Sequence, residues 1–372
     1  MGLSLLEGNE AIAWGAYRAG CRFFAGYPIT PATSILNTML SILPPAGGTV
    51  LQAEDEIAAM GYCIGASMAG LKVMTATSGP GLSLYSEHIS FAIGSEIPLV
   101  IVEVQRLGPS TGSATRGADG EIQFMRWGNS GGLPVIVLAP VDVKDCYLLT
   151  MQAFNLAEQY RCPVFLASNK EIALTKESVD LDSLESPPLI DRAGPVQKEP
   201  FLPFKILPGK IVPGFLPIGS EIPVRQTSST HGVDGYITTN TDEIEAMNER
   251  MKYKIESEID HFTFVEALIE PEASTMILAY GVTVRAAKAA YKELKSEGKP
   301  ISLLILKTLW PVPEDLIRRH AEGVKRVVVI EMNLGQYVRE IERTVKDKKI
   351  EFFGRMDGRL LKPEEIKELA ND

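Results

Sequence analysis

Runs of apolar residues alternate with stretches of helical period over the first 175 residues of the chain. Residues 72–77 and 98–104 are nearly continuous apolar runs and predict buried strands, whereas residues 7–19 and 56–69 have the spacing of helices. Strands that are apolar on both faces and separated by helices are typical of a parallel sheet covered by helices on both sides. The pattern therefore predicts a doubly wound α/β domain.

A second unit of the same kind is predicted from Ser274 onward. Apolar runs at residues 275–280, 301–307 and 326–331 again alternate with helical stretches. The return of the same alternation predicts a second α/β domain.

The pattern between the two units is different. Residues 176–225 contain nine prolines and little helical period, and residues 240–270 have a charged helical pattern. We therefore expect three parts, namely a first domain at residues 1–175, a proline-rich connector and helical arm at 176–272, and a second domain at 273–372.

The composition is that of an ordinary soluble globular protein. Hydrophobic residues make up 45% and charged residues 23% of the 372, and no apolar run reaches the roughly 18 residues of a membrane span. The N-terminal stretch lacks the pattern of an export signal, so we expect a cytoplasmic protein that does not bind membranes. The net charge of −10 argues against a nucleic-acid-binding protein, which needs a basic face.

Four cysteines are spread along the chain at positions 21, 63, 146 and 162. No two have the CxxC spacing that brings thiolates together on a metal, so we predict no zinc or iron–sulfur site in this chain. The thiols are expected to be buried core groups rather than disulfide partners.

Three segments rich in glycine, proline and polar residues follow predicted strands of the first domain. They read GYPITP at 26–31, TSGPG at 77–81 and QRLGPSTG at 105–112. The carboxyl ends of parallel strands meet at one edge of a sheet, where such sheets bind ligands. On the residues alone, each segment also has an ordinary explanation: a rigid proline turn, a glycine-rich turn between strand and helix, or a surface arginine at a strand end.

Three acidic residues, Glu54, Asp55 and Glu56, stand where the helix of 56–69 is predicted to begin. A carboxylate there is favoured by the helix dipole whatever its function. Together with Gly65, nine residues after Glu56, and with TSGPG, these residues resemble the pyrimidine-binding (Pyr) domain of thiamine-diphosphate enzymes. In that domain a carboxylate hydrogen-bonds to N1′ of the aminopyrimidine and favours the tautomer that acts as a general base. All three acidic residues compete for this role, and the nine-residue spacing favours Glu56.

The segments GNEAIAWGAYRAG (8–20), GYPITP and EVQRLGPSTG (103–112) resemble, in the same order, the alpha subunits of 2-oxoacid:ferredoxin oxidoreductases, which include 2-oxoglutarate synthase. VIEMNLGQ at 329–336 is similar, more loosely, to the transketolase-C-like domain of that family. The resemblance implies a Pyr-type doubly wound parallel-sheet domain followed by a transketolase-C-like α/β domain.

The resemblance also implies roles for single residues. Glu56, Thr30 and Arg106 are the expected catalytic residues. Thr30 is expected to hydrogen-bond the carboxylate or carbonyl of the substrate. Arg106 is expected to bind the carboxylate of the 2-oxo acid, a bidentate contact that suits a guanidinium. Arg116 departs from the family pattern and is expected either to meet a distal carboxylate of the substrate or to be a solvated loop arginine. The residues expected to bind the aminopyrimidine are Glu56, Ser78, Gly79, Tyr27, Pro28 and Ile29.

The metal and diphosphate motif of thiamine enzymes, GDG followed by an asparagine, has no good match in the sequence. The resemblance therefore implies that no metal binds to this chain and that a beta subunit supplies the diphosphate and Mg²⁺ site and a [4Fe-4S] cluster. The active site is expected at a subunit interface of a hetero-oligomer. Further expected partners are gamma and ferredoxin-like delta subunits, ferredoxin and coenzyme A.

The implied reaction is the oxidative decarboxylation of 2-oxoglutarate with coenzyme A to succinyl-CoA, CO₂ and reduced ferredoxin. Pyruvate and branched-chain 2-oxo acids are alternative substrates, and a non-redox thiamine-diphosphate decarboxylase subunit is an alternative function. A catalytically silent scaffold is disfavoured because Glu56, Thr30 and Arg106 are all present. Residues 225–232 match the family only loosely, and His231 is expected to be structural.

Overall fold

The computed structural model describes residues 2–194 and 200–371. Its strands are β1 Ser4–Glu7, β2 Phe23–Gly26, β3 Thr49–Gln52, β4 Val73–Thr77, β5 Leu99–Gln105, β6 Ile136–Leu138, β7 Pro163–Asn169, β8 Lys176–Val179, β9 Val265–Leu268, β10 Thr275–Ala279, β11 Ser302–Leu306, β12 Thr308–Trp310, β13 Arg326–Glu331 and β14 Lys349–Gly354. Its α-helices are α1 Gly8–Arg18, α2 Thr33–Ile42, α3 Glu56–Met68, α4 Pro80–Leu84, α5 Ser86–Gly94, α6 Ile122–Trp127, α7 Val143–Tyr160, α8 Lys170–Leu174, α9 Thr241–Glu256, α10 Thr283–Ser296, α11 Glu314–Ala321, α12 Val338–Thr344 and α13 Pro363–Asn371. Short 3₁₀ helices span Pro44–Ala46, Leu181–Ser183 and Ile259–Phe262.

Seven strands form the larger sheet, in the order β12-β6-β7-β5-β4-β2-β3. The strands from β2 to β7 are parallel, and β12 is antiparallel to its neighbour β6. In β5, Val100 and Val102 belong to one apolar cluster and Leu99 and Ile101 to another, so the alternating side chains fill a core on each face of the sheet. The doubly wound parallel sheet predicted from the apolar runs is confirmed.

A second sheet has the strand order β14-β13-β10-β11-β9. Its first four strands are parallel, and β9 is antiparallel to β11. Strands β1 and β8 form a separate antiparallel pair. A second α/β unit is thus present, as predicted, but its edge strand β9 precedes Ser274.

Most predicted elements lie where the hydrophobic pattern put them, and some do not. Strand β13 has the bounds of the apolar run at 326–331, and α10 those of the helix that the pattern predicts at 283–296. The pattern also predicts a helix near residues 83–94, of which α5 covers 86–94, but the helix breaks between α4 and α5 at Tyr85, whose buried hydroxyl lies 2.8 Å from Oγ1 of Thr75. The strands β1, β8, β9, β12 and β14 and the helix α13 were not predicted.

The cysteines agree with expectation, and part of the charged arm is helical. All four cysteines are buried and free, which confirms their prediction as core thiols. The charged helical pattern of the arm forms helix α9, which ends at Glu256. None of the helices within residues 2–194 and 200–371 is both long and apolar enough to cross a membrane.

Candidate active site

The three motif segments lie at one edge of the larger sheet. Strands β2, β4 and β5 are consecutive neighbours and parallel, so their carboxyl ends meet there. GYPITP follows β2, TSGPG spans the end of β4 and the start of α4, and QRLGPSTG follows β5. This is the edge at which parallel sheets bind ligands.

The three acidic residues at the start of α3 have different environments. Asp55 caps the helix, its Oδ1 accepting a hydrogen bond from Ala58 N at 2.7 Å, and both Asp55 and Glu54 are exposed. Glu56, the first residue of the helix, is only 7% exposed. Of the three candidates, Glu56 is therefore the one placed inside the protein.

The Glu56 carboxylate lies against the TSGPG turn. A Cβ added to Gly81 would lie 2.8 Å from Oε1 of Glu56 and 2.0 Å from Oγ1 of Thr77. Contacts below 3.0 Å force a rearrangement, so only glycine at position 81 allows this approach. No group in the described parts of the chain donates a hydrogen bond to the Glu56 carboxylate.

Two hydroxyl groups of the same turn are also without partners. Oγ1 of Thr77 and Oγ of Ser78 are buried and accept or donate no hydrogen bond within the described residues. Gly79, which precedes α4, has φ +44° and ψ −98°, a conformation that favours glycine. Buried polar groups normally have hydrogen-bond partners, so we expect a bound ligand to supply the partners of these hydroxyl groups.

Arg106 connects the segment after β5 with the segment after β2. Its Nη1 donates to the carbonyl oxygen of Thr30 at 2.6 Å, and the residue is only 4% exposed. Its Nε is buried without a partner among the described residues. The surface-arginine explanation of Arg106 is therefore wrong, and its guanidinium retains donor capacity for a ligand.

The remaining predicted residues lie around the open side of this edge. Tyr27 is 40% exposed, Pro28 and Ile29 are half-buried and Thr30 is exposed. Arg116 is exposed on the loop after β5, and its stem packs on Gly358 of the second unit, where an added Cβ would lie 2.9 Å from Cβ of Arg116. Its guanidinium forms no ion pair with any residue in the described ranges.

Three buried carboxyl groups behind Arg106 were missed by the sequence analysis. Burial raises the pKa of Glu103 to about 8, against the opposing effects of the Gly79 N–H and the Arg106 charge. Burial raises the pKa of Asp119 to about 7. The pKa of Glu121 lies well above its usual range because of burial and the nearby charges of Glu103 and Asp119. The signal in the sequence was an acidic residue inside an otherwise apolar strand, LVIVEVQ.

The site fits a small aromatic ring with polar edges better than it fits a metal ion. An aminopyrimidine offers ring nitrogens and an amino group, which match the unpartnered Glu56 carboxylate and the hydroxyl groups of Thr77 and Ser78. In the residues that the structure describes, no three His, Cys, Asp or Glu side chains form a group able to hold a metal ion.

The chain matches known proteins over nearly all of its length. Residues 14–249 match the family model "Pyruvate flavodoxin/ferredoxin oxidoreductase, thiamine diP-bdg", and residues 273–366 match "Pyruvate:ferredoxin oxidoreductase core domain II". The 2-oxoglutarate synthase subunit KorA of Methanothermobacter marburgensis is 40% identical over 97% of this chain and 96% of that protein. The subunit of the same name from Methanocaldococcus jannaschii is 39% identical over 98% of both chains.

The chain is also similar to a solved structure. The 2-oxoglutarate:ferredoxin oxidoreductase from Magnetococcus marinus with 2-oxoglutarate, coenzyme A and succinyl-CoA bound is 32% identical and superposes with a TM-score of 0.93 over all of this chain. This chain spans 65% of that solved chain. Sequence, structure and the two domain matches together show that the chain belongs to the thiamine-diphosphate-binding family of 2-oxoacid:ferredoxin oxidoreductases.

Proposed function

We propose that this chain is the alpha subunit of a 2-oxoglutarate:ferredoxin oxidoreductase and binds the aminopyrimidine end of thiamine diphosphate. The observation that carries the proposal is the Glu56 side chain, which is 7% exposed, lies against Gly81 of the TSGPG turn and has no hydrogen-bond partner among the described residues. The relatives named 2-oxoglutarate synthase subunit support the choice of substrate. The reaction converts 2-oxoglutarate and coenzyme A into succinyl-CoA and CO₂, releases one proton and passes two electrons to ferredoxin.

Glu56 is the residue expected to control proton transfer. When bound, thiamine diphosphate supplies a carbon nucleophile for the keto group and accepts the electrons left after CO₂ departs. The Glu56 carboxylate accepts a hydrogen bond from N1′ of the aminopyrimidine and holds a proton there. Glu56 is buried, and no donor in the described parts of the chain competes for its carboxylate, so the carboxylate is available to that ring nitrogen.

Arg106 and Thr30 are expected to position the 2-oxo acid. The Arg106 guanidinium is fixed by the Thr30 carbonyl through Nη1, which leaves its other N–H groups for the carboxylate of the substrate. The Ser78 hydroxyl and the Gly79 backbone shape the pyrimidine side of the pocket, and Tyr27, Pro28 and Ile29 form its rim. Arg116, exposed and without an ion pair in the described chain, is available for the distal carboxylate of 2-oxoglutarate.

The other half of the active site is expected to come from a beta subunit. Relatives of this chain are named as subunits, which supports a multi-subunit enzyme. The beta subunit would hold the diphosphate, Mg²⁺ and a [4Fe-4S] cluster, and gamma and ferredoxin-like delta subunits are further candidates.

The test is 2-oxo-acid-dependent reduction of methyl viologen by the complex purified with its neighbouring subunits. 2-Oxoglutarate, pyruvate and 2-oxoisovalerate are compared in the presence of coenzyme A, and we expect 2-oxoglutarate to give the highest kcat/KM. Glu56→Gln should lower kcat by about 10²–10⁴-fold, because loss of a general acid–base partner has that range of effects. Glu54→Gln, an exposed acid two residues away, is the control and should retain activity within about twofold.

Other results would change the proposal in defined ways. A preference for pyruvate or 2-oxoisovalerate would correct the substrate. An aldehyde product without viologen reduction would indicate a non-redox decarboxylase. A purified complex that neither contains nor binds thiamine diphosphate would contradict the proposed function altogether.

A further inference from the structure

Glu103 connects two segments of the candidate site. It lies in β5, is 0% exposed, and its Oε1 accepts a hydrogen bond from Gly79 N at 2.6 Å. The next residue, Pro80, has no N–H, and the carbonyl groups of Ser78 and Gly79 accept hydrogen bonds from Gly81 N and Leu82 N within the turn itself. The bond from Gly79 N to Glu103 is the contact that ties this turn to β5. Glu103 therefore fixes the orientation of the Ser78–Gly79 turn.

A carboxyl group at this position is costly for stability. Its Oε2 is buried and has no hydrogen-bond partner among the described residues. Burial raises the pKa of Glu103 to about 8, so near neutral pH a large share of the molecules carry it protonated. A glutamine could accept the same hydrogen bond from Gly79 without burying an ionisable group. A glutamic acid differs from a glutamine here in that it can change its charge, and packing alone does not explain why this position has such a group.

The charged and titratable groups around Glu103 come from three neighbouring segments. Arg106 follows the same strand, and a Cβ added to Gly79 would lie 3.8 Å from its Nε. Asp119 and Glu121 precede α6, and the Tyr85 hydroxyl lies between α4 and α5 within electrostatic range. Arg106 is the single cation in this group of five, and its charge acts on both Glu103 and Glu121.

We propose that Glu103 is a positioning residue of the 2-oxo-acid site, which anchors the Ser78–Gly79 turn and sets the charge that the substrate carboxylate meets at Arg106. The second part rests on the proposed function, whereas the first part rests on the hydrogen bond to Gly79 alone. When Glu103 is protonated, Arg106 attracts the substrate carboxylate with its full charge. When Glu103 is ionised, two anions compete for one guanidinium and the substrate is bound more weakly.

The charge role is tested by the pH dependence of KM for 2-oxoglutarate in the complex. Because Glu103 ionises as the pH rises, the KM of the wild type should increase about three- to tenfold between about pH 7 and about pH 9, with a smaller change in kcat. Glu103→Gln stays neutral and should keep a low KM over the same range. Identical KM profiles for the wild type and Glu103→Gln would overturn the charge role.

The anchoring role is tested by the affinity of the cofactor-free complex for thiamine diphosphate, measured by calorimetry. Glu103→Ala leaves the Gly79 N–H without its acceptor and should raise the Kd about tenfold, since a buried donor without an acceptor destabilises the turn. Glu103→Gln keeps an acceptor and should stay within about twofold of the wild type. Glu121→Gln is the matched control, since it removes a buried carboxyl of the same group that makes no hydrogen bond to Gly79.

Equal Kd values for Glu103→Ala and Glu103→Gln would overturn the anchoring role. Circular dichroism checks that each variant is folded, and Glu103→Gln decides the charge role even if Glu103→Ala does not fold. If the wild-type complex reduces methyl viologen with none of the 2-oxo acids, the proposed function fails. The thiamine diphosphate affinities then still show whether Glu103 anchors the turn.

Discussion

The absence of one methyl group at Gly81 determines where the Glu56 carboxylate lies. The position that a Cβ would occupy is already filled by Oγ1 of Thr77 and approached by the Glu56 side chain. Both neighbours are buried, so an added Cβ would have to displace the Thr77 hydroxyl or the Glu56 side chain. The site geometry at this point depends on a glycine that bears no chemistry of its own.

Gly81→Ala is therefore expected to impair cofactor binding although it removes no functional group of the site. Overpacking at a rigid contact costs about 1–3 kcal/mol, so the Kd for thiamine diphosphate should rise about tenfold as Glu56 is displaced. Gly323→Ala is the control, because a Cβ at position 323 meets nothing within 4 Å. Calorimetry on the cofactor-free complex measures both. Equal affinities would mean that Glu56 does not contact the pyrimidine.

Individual site residues could be predicted from the sequence where they belong to a motif with a fixed spacing. Glu56 was selected from three acidic neighbours by its spacing to Gly65, and the structure shows it as the buried one of the three. Glu103 was not found, because one acid in an apolar strand has no spacing partner in the sequence. Its bond to Gly79 joins residues 24 positions apart, which only the fold brings together.

Helix α9 of the connecting arm is fastened to the first domain by a buried ion cluster. Glu96, which is 0% exposed, accepts hydrogen bonds from Arg250 Nη2 at 2.6 Å and from Lys254 Nζ at 2.8 Å. Burial alone would raise the pKa of Glu96, but the charges of Lys254 and Arg250 outweigh it and hold the pKa well below its usual range. The ionised carboxylate thus stabilises the docked helix.

Glu96→Gln should destabilise the folded chain by about 3–5 kcal/mol near neutral pH, because it leaves buried cations without their counter-charge. The folded-state pKa is depressed, so this contribution is complete above the unfolded value of about 4.5 and is lost as the pH falls below it. The stability difference between wild type and variant should therefore shrink in acid. Urea unfolding at about pH 7 and about pH 4 measures it.

The exposed pair formed by Lys252 and Glu256 on the same helix provides the control. The two side chains are 61% and 50% exposed, and Glu256→Gln should change stability by less than about 0.5 kcal/mol. An equally small effect of Glu96→Gln, or one independent of pH, would contradict the assigned role of the cluster.

The elements that the sequence predicted are those with a long, strong hydrophobic pattern. Strand β13 is buried throughout and was predicted with its bounds. Strand β14 is nowhere fully buried and alternates charged with apolar residues, so its pattern is weak. Strand β12 has three residues and exists only because it pairs with β6, more than 160 residues earlier in the chain. Such strands depend on tertiary contacts that local pattern does not encode.

In the whole molecule, the second α/β unit adds an edge strand to the larger sheet and forms hydrogen bonds with the first unit. Strand β12 is the edge of the larger sheet, and Lys307 Nζ just before it contacts Asp145 at 2.8 Å. Gln123 donates from its backbone N and its Nε2 to Oε1 and the carbonyl of Gln336, at 2.9 and 2.8 Å, and Asn333 donates to the Asp119 carbonyl at 2.9 Å. The segment that carries Asp119 and Glu121, behind Arg106, is therefore held in place by the second unit.

Because the two units share a sheet, we expect them to unfold together. Trp310 in β12 is 3% exposed and donates from Nε1 to the carbonyl of Ile122 at 3.2 Å. Trp310→Ala should lower the free energy of unfolding by about 3–5 kcal/mol. Hydrogen exchange should then show faster opening in β6 and β7 of the first sheet as well as in β10 and β11 of the second.

Trp127→Ala is the matched control for Trp310→Ala. Trp127 is 58% exposed, so its removal should cost less than about 1 kcal/mol and leave the exchange of both sheets unchanged. Two separate unfolding transitions in the wild type, or faster exchange confined to the second sheet in Trp310→Ala, would show that the units are stable independently. In that case the shared strand would be a contact between two domains, and the support of the Asp119 segment would have to come from the hydrogen bonds that it makes with Met332, Asn333 and Gln336.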